Sequence, residues 1–495
     1  MFRWISAGAS YSAFGGLYLN IKEKRRKGEY EEILYPEGTI VKLQDKELFI
    51  AKSSNKDYNF YSPTSNWDSM LSMDYLNDSS VCHTGVMFCY EYKKSKRNFS
   101  YNKNVGYPLF GDSGGYPLMT GTIDFIDPVD LAMWYNKYVN YGMALDIPIT
   151  HSTNKELYPK LIEIHKKNLD IIVDNVDTTV EMYNVCHGHS IKYRREYIDG
   201  VYRDDIKNWA LGTSYYGTYI DFLYNCVAAF EYLKAPKYHI FGISDTMMIP
   251  ILAWLGKYYE LTSDSSTPMQ SGTSSIVFSI QGKKLLKFGA GRIQSKMLSS
   301  NNIFPYLPCS CNICNVLKTT ELIYKNKHRS LGAIVCTLHN VNTMAKYISI
   351  WNELANECNI TEYFNNIKAI ANRKYAKYIL EAVEYIEDIQ QTSFEKASKK
   401  RMGYYINSLF TKKHTYTDIF NEKMLTAEEE FDSVTNLIRR YEKYHDGKYK
   451  KQRLSKKHRA KRKLHTLKVK SKMGLTARTQ KRKLYAKKKI NKVSS

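Results

Sequence analysis

Three cysteines within six positions, Cys309, Cys311 and Cys314, are followed 25 residues later by His339. Three thiolates and an imidazole complete a tetrahedral shell around zinc and leave no position open for substrate, so the ion expected there, Zn2+, is structural. The plainer alternative is a group of buried cysteines beside a helix histidine, but thiols this closely spaced are uncommon without a ligand to hold. Cys336, near His339, reads as a core residue. Nine cysteines in all, an odd number, fit a reducing compartment better than a disulfide framework.

Three aspartates stand in settings where a carboxylate could act. Asp112 lies in Gly111-Asp-Ser-Gly-Gly-Tyr116, where glycines let the backbone approach a flat ligand; a turn with a helix-capping aspartate is the plain reading of that string alone. Asp146 ends the apolar stretch Tyr141-Gly-Met-Ala-Leu and is followed by Ile147-Pro148. Asp264 is framed by hydroxyls in Leu261-Thr-Ser-Asp-Ser-Ser-Thr-Pro268. A carboxylate so framed can be partly desolvated and held in one rotamer, which suits a nucleophile, although in isolation the string reads as an ordinary loop.

Elements able to position these groups recur between about residues 85 and 345, where short apolar strands alternate with segments of helical period. Strands around Tyr107-Pro-Leu-Phe, Tyr141-Gly-Met-Ala-Leu and Tyr238-His-Ile-Phe each run into small or polar residues. Polar groups at the C-terminal ends of parallel strands are where a (β/α)8 barrel keeps its chemistry. Ile220, Leu223, Val227 and Phe230 form one apolar stripe at helical spacing, and a core helix is expected there. The expected fold class is α/β, a (β/α)8 TIM-type barrel with an inserted zinc-binding subdomain and a helical, basic C-terminal extension. Its divisions are a β-rich segment over 1–84, the barrel over 85–345 with the zinc subdomain at about 305–340, a helical region over 346–446, and a basic tail over 447–495.

Charge is distributed unevenly. The formal net charge is +24, yet residues 451–495 hold 19 Lys or Arg and no Asp or Glu, leaving 54 basic against 49 acidic residues before them. A polycationic tail on a nearly neutral body suits phosphate neutralisation, and its plain alternative is a solvated tail with no specific role. No apolar run reaches the roughly 18 residues of a membrane span. The stretch Ile5 to Leu19 carries three glycines and reads as a strand and turn rather than a signal peptide, so a cytoplasmic location is expected, the host cytoplasm if the chain is phage-encoded. Gly289-Ala-Gly291 has Gln294 where a dinucleotide loop needs its third glycine.

The order Asp-Ser-Gly-Gly, Leu-Asp-Ile-Pro, an aspartate framed by hydroxyls, Cys-x-Cys-x-x-Cys and His-Asn resembles the tRNA-guanine transglycosylase superfamily over about residues 105–345. Asp127-Pro128, Cys186-His-Gly-His189, Leu211-Gly-Thr213 and the spacing from Asp264 to Pro268 are similar to further motifs of that family. The resemblance implies that Asp264 attacks C1′ of the target nucleotide and that Asp112 is the general acid/base. It implies that Asp146, with Ser113, binds the base, a carboxylate accepting from the N1 and N2 donors of guanine, and that His187 and the backbone of Gly212 meet O6. His187 stands where the family usually has Gln, and Thr213 replaces a glycine.

The Leu-Asp-Ile-Pro form resembles the archaeosine-type more than the queuine-type enzymes, and that resemblance implies a 7-deazaguanine, such as 7-cyano-7-deazaguanine, as incoming base. Divergent pocket motifs and the C-terminal extension resemble the DNA-acting branch, so DNA is the expected polymer and tRNA the alternative. A homodimer or an accessory protein remains open. The rival classes are a non-catalytic zinc-containing partner subunit, a nucleic-acid-binding protein and a hydrolase that releases guanine to water; retention of both Asp112 and Asp264 argues against the first two.

Overall fold

The computed structural model describes residues 2–7, 40–43, 46–52, 58–61, 86–90, 108–119, 123–149, 155–188, 191–212, 219–243, 245–273, 276–289 and 329–370, parts of 384–397, and 428–449. The strands are β1 (Phe2–Ala7), β2 (Ile40–Leu43), β3 (Lys46–Lys52), β4 (Tyr58–Tyr61), β5 (Val86–Cys89), β6 (Leu109–Asp112), β7 (Tyr141–Met143), β8 (Glu181–Cys186), β9 (Asn208–Leu211), β10 (Lys237–Ile240), β11 (Glu260–Ser265), β12 (Ile276–Gln281) and β13 (Lys284–Gly289). The helices are α1 (Gly115–Met119), α2 (Pro128–Tyr138), α3 (Tyr158–Asn175), α4 (Ile191–Val201), α5 (Tyr219–Leu233), α6 (Met248–Leu255), α7 (Thr267–Thr273), α8 (Arg329–Glu357), α9 (Ile360–Ile370) and α10 (Glu428–His445). From β6 to β11 a helix stands between each strand and the next, and the paired strands among β1, β5 and β7 to β11 are parallel. The protein is α/β, with a curled parallel sheet and helices.

The chain divides into two compact units, one of 1–88, 94–110 and 237–390, the other of 89–93, 111–236 and 391–495. In the first, β1 pairs with β5 on one side and β11 on the other, and β11 pairs with β10. The strand expected near Ile5 is thus part of the parallel sheet, well ahead of residue 85. It belongs there because both of its neighbours offer unpaired backbone and because Phe2 and Ile5 are buried. Residues 40–61 contribute the separate antiparallel sheet β2-β3-β4. Helix α8 packs on α7, α6, β12 and β1, and it runs unbroken across position 345.

Two residues of α8 hold the β12-β13 hairpin (Ile276–Gly289) by its backbone. The Phe278 amide donates to Asn340 Oδ1 at 2.8 Å, and its carbonyl is met by His339 Nε2 at 2.7 Å. Asn340 Nδ2 in turn donates to the carbonyls of Ile276 and Pro268. A β-strand edge buried against a helix needs such partners, because each unpaired backbone group costs about 1–3 kcal/mol.

The second unit carries β7, β8 and β9 as parallel neighbours, with α2, α3 and α4 packed in succession. Asp127-Pro128, one of the motif pairs, starts α2: Asp127 Oδ1 accepts from Val129 N–H at 3.1 Å, and proline occupies the first turn, where its missing amide is not needed. Helix α5 covers the stripe read from sequence, with Val227 and Phe230 buried. Helix α10 lies on α3 and α1, where Arg440, Tyr441 and Tyr444 bond to Asp124, Ile126 and Asp127. The helical character expected of 346–446 appears in α9 and α10, while the tail beyond residue 449 lies outside the described residues.

Asn340→Ala strips partners from Phe278 N–H and two carbonyls at once. We expect a loss on the order of 3 kcal/mol in chemical denaturation, with faster amide exchange at Phe278. A loss below about 0.5 kcal/mol, the scale of a neutral surface change, would show that this junction is held by something else.

Candidate functional site

Two carboxylate centres occupy strand ends, one in each unit. In the second unit, the site is built at the C-terminal ends of β6, β7, β8 and β9. Asp146 follows β7 by three residues and is 6% exposed. Its Oδ1 accepts from the Ser113 hydroxyl at 2.9 Å, and its Oδ2 faces His187 Nε2 at 2.8 Å. Ser113 and His187 are both fully buried, each just past the end of its strand. Burial works against the charge of Asp146. The hydrogen bond and charge of His187, the nearby His165 ring and the Ser113 hydroxyl outweigh it, so the carboxyl titrates below the ordinary carboxylate range.

The backbone around Asp146 is tight enough to require glycine. A Cβ on Gly115 would stand 2.7 Å from the Asp146 carbonyl and 2.8 Å from Oδ1, and one on Gly212 would stand 2.3 Å from the His187 ring. The preceding Gly114 has φ +91°, which turns the chain from β6 into α1. Gly212 thus contributes by letting His187 sit against the chain. Its N–H donates to the Cys186 carbonyl at 2.9 Å, so recognition of a base oxygen through that amide would compete with a bond extending the β8-β9 ladder.

Arg194 of α4 secures both loops. The guanidinium, 1% exposed, donates to the carbonyls of Gly188 at 2.6 Å and Gly212 at 3.3 Å. Behind His187, the Tyr197 ring meets it edge-on at 5.4 Å, and Tyr197 Oη contacts His165 Nδ1 at 2.8 Å. Asn184 Nδ2 donates to the Val201 carbonyl while its Oδ1 accepts from Val185 N–H. Its Oδ1 is therefore an acceptor toward His165 Nε2 as well, at 3.1 Å, and the neutral ring accepts at Nδ1 from Tyr197. Asp112 is half-buried, with Oδ1 accepting from Gly114 N–H at 3.2 Å, the turn that its motif suggests.

In the first unit, Asp264 stands within β11, where hydroxyl-rich sequence alone had read as a loop; its pairing to β1 and β10 decides the matter. It is 8% exposed. Oδ1 accepts from Gly242 N–H at 2.7 Å and lies 3.3 Å from His239 Nε2. Gly242 has φ +75°, which aims its amide back toward β11. Ser263 donates to the Ile240 carbonyl, so this hydroxyl next to Asp264 ties β11 to β10 instead of facing the carboxylate.

Of the proposed zinc ligands, Cys309, Cys311 and Cys314 lie outside the described residues, as does most of the segment 305–340. His339 is buried, and with Nε2 turned to the Phe278 carbonyl its ring would reach a metal through Nδ1. Among the described residues no group of three His, Cys, Asp or Glu side chains is placed to hold a metal ion. None of their helices is long and apolar enough to cross a membrane. His165, His239, Arg194 and Tyr197 are the site residues that sequence reasoning did not name.

Burial lowers the pKa of His165 from 6.5 to about 4, the nearby His187 adding to that effect and Asp146 opposing it. Below pH 6.5 the unfolded chain takes up a proton that the folded chain refuses, so stability rises with pH from about 4 to 6.5 and falls as pH drops through that window. The depression corresponds to about 3 kcal/mol. We expect His165→Gln to flatten the pH dependence of unfolding free energy across that window; an unchanged slope would show that another group causes it. No protein-family profile and no curated protein matches this chain.

Proposed function

We propose that this protein is a base-exchange transglycosylase that replaces guanine in DNA with a 7-deazaguanine, with tRNA as the alternative polymer. The observation that carries the reading is the contrast between two carboxylates at strand ends. Asp146 is enclosed and ionised, its two oxygens each engaged by a neighbour; it suits fixed recognition of paired donors such as N1–H and N2–H of guanine. Asp264 is buried to a similar degree, but among the described residues only its Oδ1 has hydrogen-bond partners, and the other oxygen suits direct reaction.

The parallel run β5-β1-β11-β10 within the first unit and the parallel run β7-β8-β9 within the second support the (β/α)8 barrel on this reading. In the proposed reaction an Asp264 oxygen forms a bond to C1′ as the C1′–N9 bond breaks. The departing guanine takes that electron pair at N9 and a proton from Asp112. Asp112 then removes the N9 proton of the incoming base, which attacks C1′ and releases Asp264. Two carboxylates with different duties need different surroundings, as in retaining glycosidases. A purine-like base replaces another and one glycosidic bond replaces another, so the exchange balances without a nucleotide or redox cofactor.

Cys309, Cys311, Cys314 and His339 would hold zinc, which supplies structure there. Ser113 and His187 act through Asp146 by fixing its carboxylate. A duplex substrate would have to release its target nucleotide from the stack. The basic tail past residue 449 would add salt-sensitive affinity for phosphates, and the thiol content suits an intracellular, reducing setting.

Incubation of the protein with guanine-containing oligonucleotides in the absence of acceptor base should give a covalent protein–nucleic acid adduct on a denaturing gel. Asp264→Asn is expected to abolish it. An adduct at normal yield from that variant would remove Asp264 as the nucleophile.

A further inference from the structure

We propose that His239 is the positioning residue for Asp264: with the Gly242 amide it engages one carboxylate oxygen, Oδ1, and leaves Oδ2 as the reacting oxygen. The inference rests on the reading of Asp264 as a nucleophile. Oδ1 has both contacts, Gly242 N–H at 2.7 Å and His239 Nε2 at 3.3 Å, whereas Oδ2 has no hydrogen-bond partner among the described residues. The Asp264 side chain is 12% exposed, that of His239 not at all. A nucleophilic oxygen needs a lone pair free of donors, and fixing its twin limits rotation of the carboxylate without using that lone pair.

The ring is itself held from several sides. Phe110 stacks on it at 6.0 Å, and Phe241 meets it edge-on at 4.9 Å. Thr262 is opposite His239 in the β10-β11 ladder and shares a face with Asp264, two residues on, so the ring spans from one to the other. Thr262 Oγ1 lies 2.9 Å from His239 Nδ1 and 3.1 Å from the Tyr238 carbonyl.

That hydroxyl has one proton and two acceptors in reach. If it donates to Nδ1, the neutral ring carries its hydrogen on Nε2, pointing at Asp264. If it donates to the Tyr238 carbonyl, Nδ1 must donate to Thr262, and the contact between Nε2 and Oδ1 is attractive only with a further proton between them. A hydrogen therefore lies between Nε2 and Oδ1 in either setting. Leucine would fill the same apolar slot as histidine, so packing alone does not account for the imidazole.

The test compares His239→Leu with His239→Gln, whose amide can donate to Oδ1 from a similar reach. His239→Leu should slow formation of the Asp264 adduct about 100-fold, the scale of a small misplacement of a reacting group, with little change in the KM for the oligonucleotide. His239→Gln should recover most of that rate. An unimpaired leucine variant, or equal impairment of both, would overturn the proposal. Nitrogen NMR of the full-length protein with labelled histidine gives a readout independent of activity. A protonated Nε2 at His239 that shifts in Asp264→Asn is expected, and an unprotonated or insensitive Nε2 would overturn the proposal. Absence of any adduct from the unaltered protein, with the NMR signature present, would instead remove the transglycosylase reading and leave the pairing intact.

Discussion

An ionised carboxylate withdrawn from water must receive donors from the protein, and Asp146 shows how much of a fold that requirement can organise. Its oxygens take a hydroxyl from the end of β6 and face an imidazole from the end of β8. Those side chains converge only if β6, β7 and β8 end at one level, Gly115 comes close enough to touch the carboxylate, and Gly212 leaves room for the ring. The buried Arg194 then fixes the loops bearing Gly188 and Gly212. Parallel strands with helical connections meet this demand well, because each strand delivers its following loop to the same edge.

Asp264 meets the same demand in a different way. One oxygen receives the Gly242 amide and faces His239, and the other has no hydrogen-bond partner among the described residues. Full satisfaction would make it a recognition group like Asp146, and full exposure would leave it a solvated carboxylate with no fixed direction. The intermediate state is the one a reacting carboxylate needs.

Much of this could be read before any coordinates. Apolar runs ending in Gly-Asp-Ser, Asp-Ile-Pro and Gly-Ile-Ser identify strand ends, and β6, β7 and β10 lie there. The helical stripe through Val227 and Phe230 is buried as its period requires. Other features depend on pairing across the sheet, which no local string encodes. Thr-Ser-Asp-Ser is poor strand sequence, yet it forms β11 because neighbours on both sides supply its backbone partners. His239 reaches Asp264 through the register of two strands 25 residues apart. The Asp-Pro at 127–128 is a helix start, and the His-Asn at 339–340 serves to bind a hairpin through Phe278; both motifs have local structural duties that a motif comparison alone does not reveal.

Base exchange is most directly tested by incubating the full-length protein with radiolabelled guanine and, in parallel, with double-stranded DNA and with tRNA at low salt, then counting label retained in each polymer. The account predicts label in DNA. Label in tRNA alone would keep the chemistry and change the polymer, whereas label in neither polymer, with binding to nucleic acid intact, would contradict the transglycosylase reading.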